Sequence, residues 1–335
     1  MMARKKVRFD KFSLYGALIG MGLVMFLSGD NLRSMPIPSA LANPQVIAIN
    51  PDDWTSLVKA VSIRATRFGG TVGYVIKDFK SGQVAANHSD LVFPSASLIK
   101  FPILCAAFQA VEEGRMSLSA PVTLQRGDRK GGSGTLKFSP LGTVYTNREL
   151  LEVMIDHSDN TAAGLIVRQL GYEYLQKTFI TLGLRDTIIN PDGFNLTSRR
   201  VEEDNMTSPR DMAFLLEKIY RRELVSPLAS DQMLDIMKHQ HLRDRLPRFL
   251  PNGWEIAHKT GLLRRACHDV GIVFSPKGDY MICVLTSHDA TYKMAKRFIA
   301  NVGRITYDYY GRRQTASLAG TAAGRRDASS SPLSS

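Results

Sequence analysis

Three stretches near the end of the chain, Glu255-Ile-Ala-His-Lys-Thr260, Cys267-His-Asp-Val-Gly-Ile-Val-Phe274 and Tyr280-Met-Ile-Cys-Val-Leu-Thr-Ser287, read as β-strands. Their apolar and β-branched residues recur with period two, and Pro276-Lys277-Gly278-Asp279 supplies the turn between the second and third. Residues 71–76 and 83–86, far upstream, flank the turn-rich Asp78-Phe79-Lys80-Ser81-Gly82 and form a second hairpin. Between the two groups the pattern is helical. From Ser97 to about Glu113 the sequence is apolar on nearly every side and stops at Gly114, which predicts a centrally buried helix with Pro102 in its first turn. Residues 147–222 are helical in pattern, with breaks at 157–160, Gly171, Gly183 and 190–209. Further helices are expected after the Pro51-Asp52-Asp53 cap, over 230–238 and over 291–310. Strands at both ends and helices between them argue an α+β fold (α/β in the broad sense). One antiparallel sheet is formed by N- and C-terminal segments and flanked by helices, and an all-helical subdomain is inserted over about 97–225.

With 335 residues, 44% of them hydrophobic, the chain can bury a large core. Its net charge is +12, but residues 1–42 carry six basic and two acidic side chains and residues 311–335 four and one. The body, 43–310, is therefore only mildly basic and has no basic-aromatic stripe, which argues against a nucleic-acid partner. Arg4, Lys5, Lys6, Arg8 and Lys11 precede an apolar run from Leu14 to Leu27, the charge-then-apolar order of an export signal or an N-terminal membrane anchor. The run is short for a span, and Ala40-Leu41-Ala42 lies far downstream for a cleavage site, so both readings stay open. Either places the body outside the cytoplasmic membrane, periplasmic or extracellular. Residues 311–335, rich in Ser, Ala, Gly and Arg without an apolar period, read as a disordered basic tail. Cys105, Cys267 and Cys283 allow at most one disulfide, with a 267–283 pair open, and no Cys-x-x-Cys points to zinc.

Ser97-Leu98-Ile99-Lys100 sets a hydroxyl and an amine three residues apart, on one helix face. Serine is a poor nucleophile until a neighbour takes its proton, and a buried lysine can lose its own charge and do so. Ser-x-x-Lys also occurs at Ser56-Leu57-Val58-Lys59, on an amphipathic surface helix, where it reads as structural. What distinguishes Ser97 is Ser158-Asp159-Asn160 at a break between helices and Lys259-Thr260-Gly261 at a strand end, in that order. Each triplet has a chance expectation of about one in twenty in such a chain.

With these three motifs the sequence from about residue 52 to 310 resembles the class A β-lactamase and penicillin-binding protein superfamily of active-site-serine hydrolases. Thr207-Ser208-Pro209 is similar to the tripeptide that opens a helix after the omega loop of class A enzymes. The resemblance implies that Ser97 attacks the amide carbonyl and Lys100 helps take its proton. Ser158 passes a proton to the leaving nitrogen, and Asn160 holds Lys100 and the substrate. Lys259 and Thr260 bind the substrate carboxylate, Gly261 lets the backbone lie close, and the Ser97 and Leu262 amides form the oxyanion hole. It implies no metal and no organic cofactor, and a monomer acting on a small-molecule substrate, a β-lactam or a D-Ala-D-Ala-like peptide.

The sequence departs from the family in the omega loop. Counting back from Asn205, which stands where class A enzymes close the loop with an acid, lands on Asp192, where they carry the Glu that activates the deacylating water. Asp is one methylene shorter, and small misplacements of a base are costly. Glu202 and Glu203 read as solvated loop charges. His268-Asp269 resembles a His-Asp pair that follows Lys-Thr-Gly in related hydrolases, giving His268 a minor binding role. His239-x-His241 reads as a solvated helix end, and Gly131-Gly132-Ser133-Gly134 as a flexible rim of the cleft. Three functions follow: a β-lactamase with an acyl-Ser97 intermediate; a D-alanyl-D-alanine carboxypeptidase or esterase of the same fold with poor β-lactam deacylation; or a penicillin-binding sensor that acylates without turnover.

Overall fold

The computed structural model describes residues 53–191, 204–288 and 291–323, the last stretch with side chains to Gly311. Helix α1 (Trp54–Thr66) opens on Asp53, whose carboxylate accepts from the Thr55 amide, the expected cap. Strands β1 (Thr71–Asp78) and β2 (Val84–Asn87) form the first hairpin, and a short β3 (Phe93–Pro94) leads to the nucleophile region. Helix α2 (Lys100–Glu112) follows, then β4 (Pro121–Thr123) and β5 (Val144–Thr146), α3 (Asn147–Asp156), α4 (Asn160–Leu170) and α5 (Tyr172–Thr181). After β6 (Met206–Thr207) come α6 (Pro209–Tyr220), α7 (Pro227–Lys238), β7 (Glu255–Leu263), β8 (Ala266–Phe274), β9 (Tyr280–Ser287) and α8 (Tyr292–Ala323).

The five long strands form one antiparallel sheet in the order β2-β1-β9-β8-β7, so the N-terminal hairpin completes a sheet begun by the C-terminal strands. Both of its faces are covered. Val75, Ala257, Val270, Ile272, Met281, Cys283 and Leu285 pack with helices α2 to α7. Val72, Tyr74, Ile76, Ile256, Cys267, Val273, Tyr280, Ile282 and Val284 pack with α1 and α8. Period-two alternation therefore sorts side chains between two cores rather than between core and water, and β9 is buried throughout. Helix α2 runs through the helical layer with ten of its thirteen residues buried.

Two expectations are corrected. Ser97 lies not in an α-helix but in a 3₁₀ turn, Ala96–Ile99, that leads into α2; Pro102 has no N–H to donate, so the α-helical ladder is established only beyond it. Helix α8 continues past Tyr310 to Ala323, so residues 312–323, assigned from composition to an unordered tail, are helical. Their alanines carry high helix propensity without any apolar period. Residues 1–52 and 324–335, and with them the expected export or anchor segment and the end of the expected tail, lie outside the described residues. No disulfide joins Cys267 to Cys283: all three cysteines are buried thiols, and the register sets Cys267 opposite Thr286 and Cys283 opposite Val270.

Candidate active site

Three elements converge on the cleft. The 3₁₀ turn has about three residues per turn, so Ser97 and Lys100 eclipse one another and the Lys100 Nζ donates to Ser97 Oγ at 3.1 Å. Ala96, with φ of 49°, makes the sharp corner that presents the turn. The second element is the break between α3 and α4. Ser158 sits in the left-handed region at φ 54°, which aims its hydroxyl back toward both lysines, while Asp159 caps α4 by accepting from Ala162 N at 2.9 Å. Asn160, the first residue of α4, accepts from Lys100 Nζ at 2.6 Å, and the Ser158 carbonyl does the same. The third element is β7, an edge strand of the sheet, which carries Lys259 to Leu263 past the turn.

Ser158 Oγ lies 3.2 Å from Lys100 Nζ and 3.0 Å from Lys259 Nζ, so one hydroxyl bridges two buried amines. Burial pushes the Lys100 amine down to about 7, partly offset by the Asp159 carboxylate. Lys259 is pushed well below the usual lysine range, by burial first and then by the charges of Lys100 and Arg245, with Asp269 opposing. Near neutral pH this pair does not carry two full charges. An amine at the edge of neutrality beside a serine hydroxyl is a base able to accept the serine proton.

Gly261 is required by contact rather than by dihedral. A Cβ there would lie 3.0 Å from the Ser95 carbonyl oxygen, 3.0 Å from His268 Cδ2 and 3.2 Å from Leu98 Cγ, so β7 presses directly onto the nucleophile turn. His268 is behind this contact and not in the cleft, which corrects its expected binding role. It is fully buried; the Thr286 amide donates to Nδ1 at 3.2 Å, which leaves Nε2–H to donate to the Pro94 carbonyl at 2.8 Å. Burial drives its pKa down to about 4, and the neutral ring ties the sheet to the segment before Ser97.

The cleft itself, about 170 Å³, is lined by Ala96, Ser97, Ile99, Lys100, Gly132, Ser133, Asn160, Asp204, Asn205, Leu262 and Leu263. The glycine-rich rim is pinned, not flexible. Asn160 binds Gly131 O through its side chain and Ser133 O through its amide, and Gly134 packs so closely on Asp159 that no Cβ fits. His241 stacks on His157 at 4.5 Å, and no group of three metal-ligating side chains occurs among the described residues. Asp192, Glu202 and Glu203 lie outside the described residues. The base of their loop is described: Asn190 N donates to Asn205 Oδ1 at 2.7 Å and Asn190 Nδ2 to the Asp204 carbonyl at 2.6 Å.

Two residues of the site escaped sequence reading. Asp204 adds a carboxylate to the cleft wall; its only signal is adjacency to Asn205. Arg245, 2% exposed and donating through Nε to Cys267 Sγ at 3.3 Å, sets part of the field at Lys259, although in the sequence it is one charge in a basic run.

Comparison with known proteins agrees with this geometry. The model of the β-lactamase enzyme family matches residues 55–310. The chain belongs to that family. It is 24% identical over 254 residues to the β-lactamase VEB-1 of Pseudomonas aeruginosa, covering 71% of this chain and 85% of the relative. The β-lactamase of Bacillus licheniformis is 28% identical over 67% of this chain and 73% of its own. Among solved structures, PBP-A is 34% identical with a TM-score of 0.71, covering 77% of this chain and 97% of PBP-A, and a mutant of it was solved as an acyl-enzyme with penicillin G. The β-lactamase of Sphaerobacter thermophilus is 27% identical, with a TM-score of 0.71 over 77% of this chain and 98% of its own. This β-lactamase-family chain thus has the β-lactamase/transpeptidase-like fold expected of it, and it is a class A β-lactamase-like hydrolase.

Proposed function

We propose that the chain is an exported active-site-serine hydrolase that opens the β-lactam amide through an acyl-Ser97 ester. The observation that carries this is Lys100 Nζ, 3.1 Å from Ser97 Oγ, buried and lowered to about 7. In the acylation step Lys100 takes the Ser97 proton as Oγ bonds to the carbonyl carbon. The C–N bond then breaks as the nitrogen takes a proton from the Ser158 hydroxyl, which regains one from Lys100. The developing oxyanion is held by the Ser97 and Leu262 amides. A substrate carboxylate at Lys259 and Thr260 supplies the opposite charge that favours a protonated Lys259. Water then cleaves the ester, releasing the acid and returning the proton to Ser97. Asp192 is the residue proposed to activate that water, and Asp204, already on the cleft wall, is the comparison residue.

A D-alanyl-D-alanine peptidase or esterase is the second reading. It is favoured by the neutral Asn190–Asn205 closure of the loop and by the 34% identity to PBP-A. Residues 1–42 are proposed to export the protein and, if retained, to anchor it, the catalytic body acting as a monomer.

One experiment separates the readings: mixing the purified chain with a chromogenic cephalosporin beside Ser97→Ala. Sustained turnover that Ser97→Ala abolishes supports the β-lactamase. A one-equivalent burst that stalls supports the peptidase-like protein, and an unmodified Ser97 after penicillin exposure refutes both.

A further inference from the structure

Two residues outside the cleft lining grip the chain immediately before Ser158. Gln240 is buried; its Nε2 donates to the Ile155 carbonyl at 2.5 Å, and its Oε1 accepts from the Leu242 amide at 2.9 Å. The His241 amide donates to the Asp156 carbonyl at 3.1 Å. The His241 ring lies flat on that of His157, with centroids 4.5 Å apart and planes 9° apart. Ile155 and Asp156 end α3 and His157 caps it, so two consecutive residues hold three consecutive ones, and the next residue is Ser158. The last carbonyls of a helix lack partners within it, and the 240–241 segment supplies donors to two of them.

Ser158 needs such a hold. Its φ of 54° is a conformation that a helix end normally gives to glycine, and a strained residue stays there only where its surroundings over-determine it. Relaxation to the right-handed region would turn the hydroxyl away from its place between Lys100 Nζ, at 3.2 Å, and Lys259 Nζ, at 3.0 Å. Those amines stand on α2 and β7, so the end of α3 must be fixed against both elements. Helix α7, which runs on into the 240–241 segment, packs against both α3 and β7 and carries the hold to the strand of Lys259.

We propose that Gln240 and His241 are positioning residues for Ser158, holding its hydroxyl where it can pass a proton to the departing nitrogen. Their effect on the chemistry runs through Ser158 alone. The proposal rests on the role given to Ser158 above, and it confines the loss in a variant to substrates whose leaving group needs that proton. An amine leaves a β-lactam only as it is protonated. An arylthiolate leaves as the anion, so its thioester needs Lys100 and the oxyanion hole but not Ser158.

The test compares second-order acylation constants of the full chain for benzylpenicillin and for the S-(3-carboxyphenyl) thioester of phenylacetylglycine, which keeps the acyl group and a leaving-side carboxylate. Gln240→Met, close in shape but without the amide, combined with His241→Ala should lower the benzylpenicillin-to-thioester ratio about tenfold, part of the roughly 10²–10⁴ that a general acid contributes. The thioester constant should stay within about twofold of native, which shows that the variant is folded and Ser97 intact. His241→Phe, which keeps a ring to stack, should keep the native ratio. Where the double variant does not fold, His241→Ala alone removes only an exposed ring and should lower the ratio about threefold. An unchanged ratio, or equal losses on both substrates, overturns the positioning role. Ser158→Ala should lower the ratio further than either variant; if it does not, Ser158 is not the donor, and the proposal falls while the Ser97 reading stands. Failure of benzylpenicillin to acylate the native protein overturns the Ser97 reading itself, and the proposal with it.

Discussion

The Asn190 amide donates to the Asn205 side-chain carbonyl at 2.7 Å, and the Asn205 main-chain carbonyl accepts from Ser95 at 2.6 Å. The neck of the 190–209 loop is thus fastened to the segment that enters the nucleophile turn by uncharged hydrogen bonds. Asn205→Ala should cost about 1–3 kcal/mol in chemical denaturation, the scale of an unsatisfied buried polar group. Asn190→Ala keeps the Asn190 main-chain donor and removes only the Nδ2 bond to the Asp204 carbonyl, so it should cost less, about 0.5–1.5 kcal/mol. An Asn205→Ala loss no larger than that of Asn190→Ala would mean that the Asn205 side chain does not hold the neck.

Acylation should rise with pH through about 7. Lys100 acts as a base only when neutral, and burial lowers its pKa to about 7, so the rate should fall about tenfold per unit below that point. Stopped-flow acylation by penicillin G from pH 5 to 8 reads this directly, and a flat profile would remove Lys100 as the base. The same shift affects stability. The folded pKa lies below the unfolded one, so this group makes the protein more stable as pH rises from about 7 to about 10.

Gly261→Ala should reduce acylation about a hundredfold while costing about 1–3 kcal/mol in stability. The new methyl meets the Ser95 carbonyl and the His268 ring at 3.0 Å, so β7 must retreat from the Ser97 turn. A rate within threefold of native would show that the contact relaxes without moving the nucleophile.

Asp156→Asn should stabilise the protein at pH 7. Burial raises the Asp156 carboxyl to about 6, and its Oδ1 has no hydrogen-bond partner among the described residues; Glu152 and Asp235 add to the rise while His239 and His241 oppose it. A carboxyl whose folded pKa exceeds its unfolded value loses stability as pH rises from about 4 to 6. The gain from Asn should therefore be of the order of 1 kcal/mol above pH 6, discounted for partial exposure, and absent below pH 4. Thermal melts at pH 3.5 and 7 test the sign.

The sheet and the order of its motifs were legible because period-two runs and rare triplets are local signals. Even so, β7 and β9 fitted the strand pattern for a reason the pattern does not contain, since both faces of the sheet are covered. His268 was misread because adjacency to Lys-Thr-Gly says nothing about which side of β8 the ring takes; pairing with Gly261 sends it under the nucleophile turn. Arg245 and Asp204 were invisible for a similar reason. Their roles come from long-range packing, and a single charged residue in a polar run reads as solvated. The glycine-rich rim looked mobile from composition, yet Gly134 is there because Asp159 leaves no room for more.

Strand β9 is the middle of the five-stranded sheet and almost the last part of the body to be synthesised. Until it arrives, β1 and β2 on one side and β7 and β8 on the other have no common neighbour, and the Thr71–Ser287 end of the ladder cannot close. The five-stranded sheet therefore cannot be completed on a nascent chain before the final strand is available, and a chain ending before Tyr280 would lack the strand that joins the two half-sheets and leave their edges bare. Under the export proposed for residues 1–42, an architecture that delays its own closure would keep the chain in the unfolded form that passage through a membrane requires.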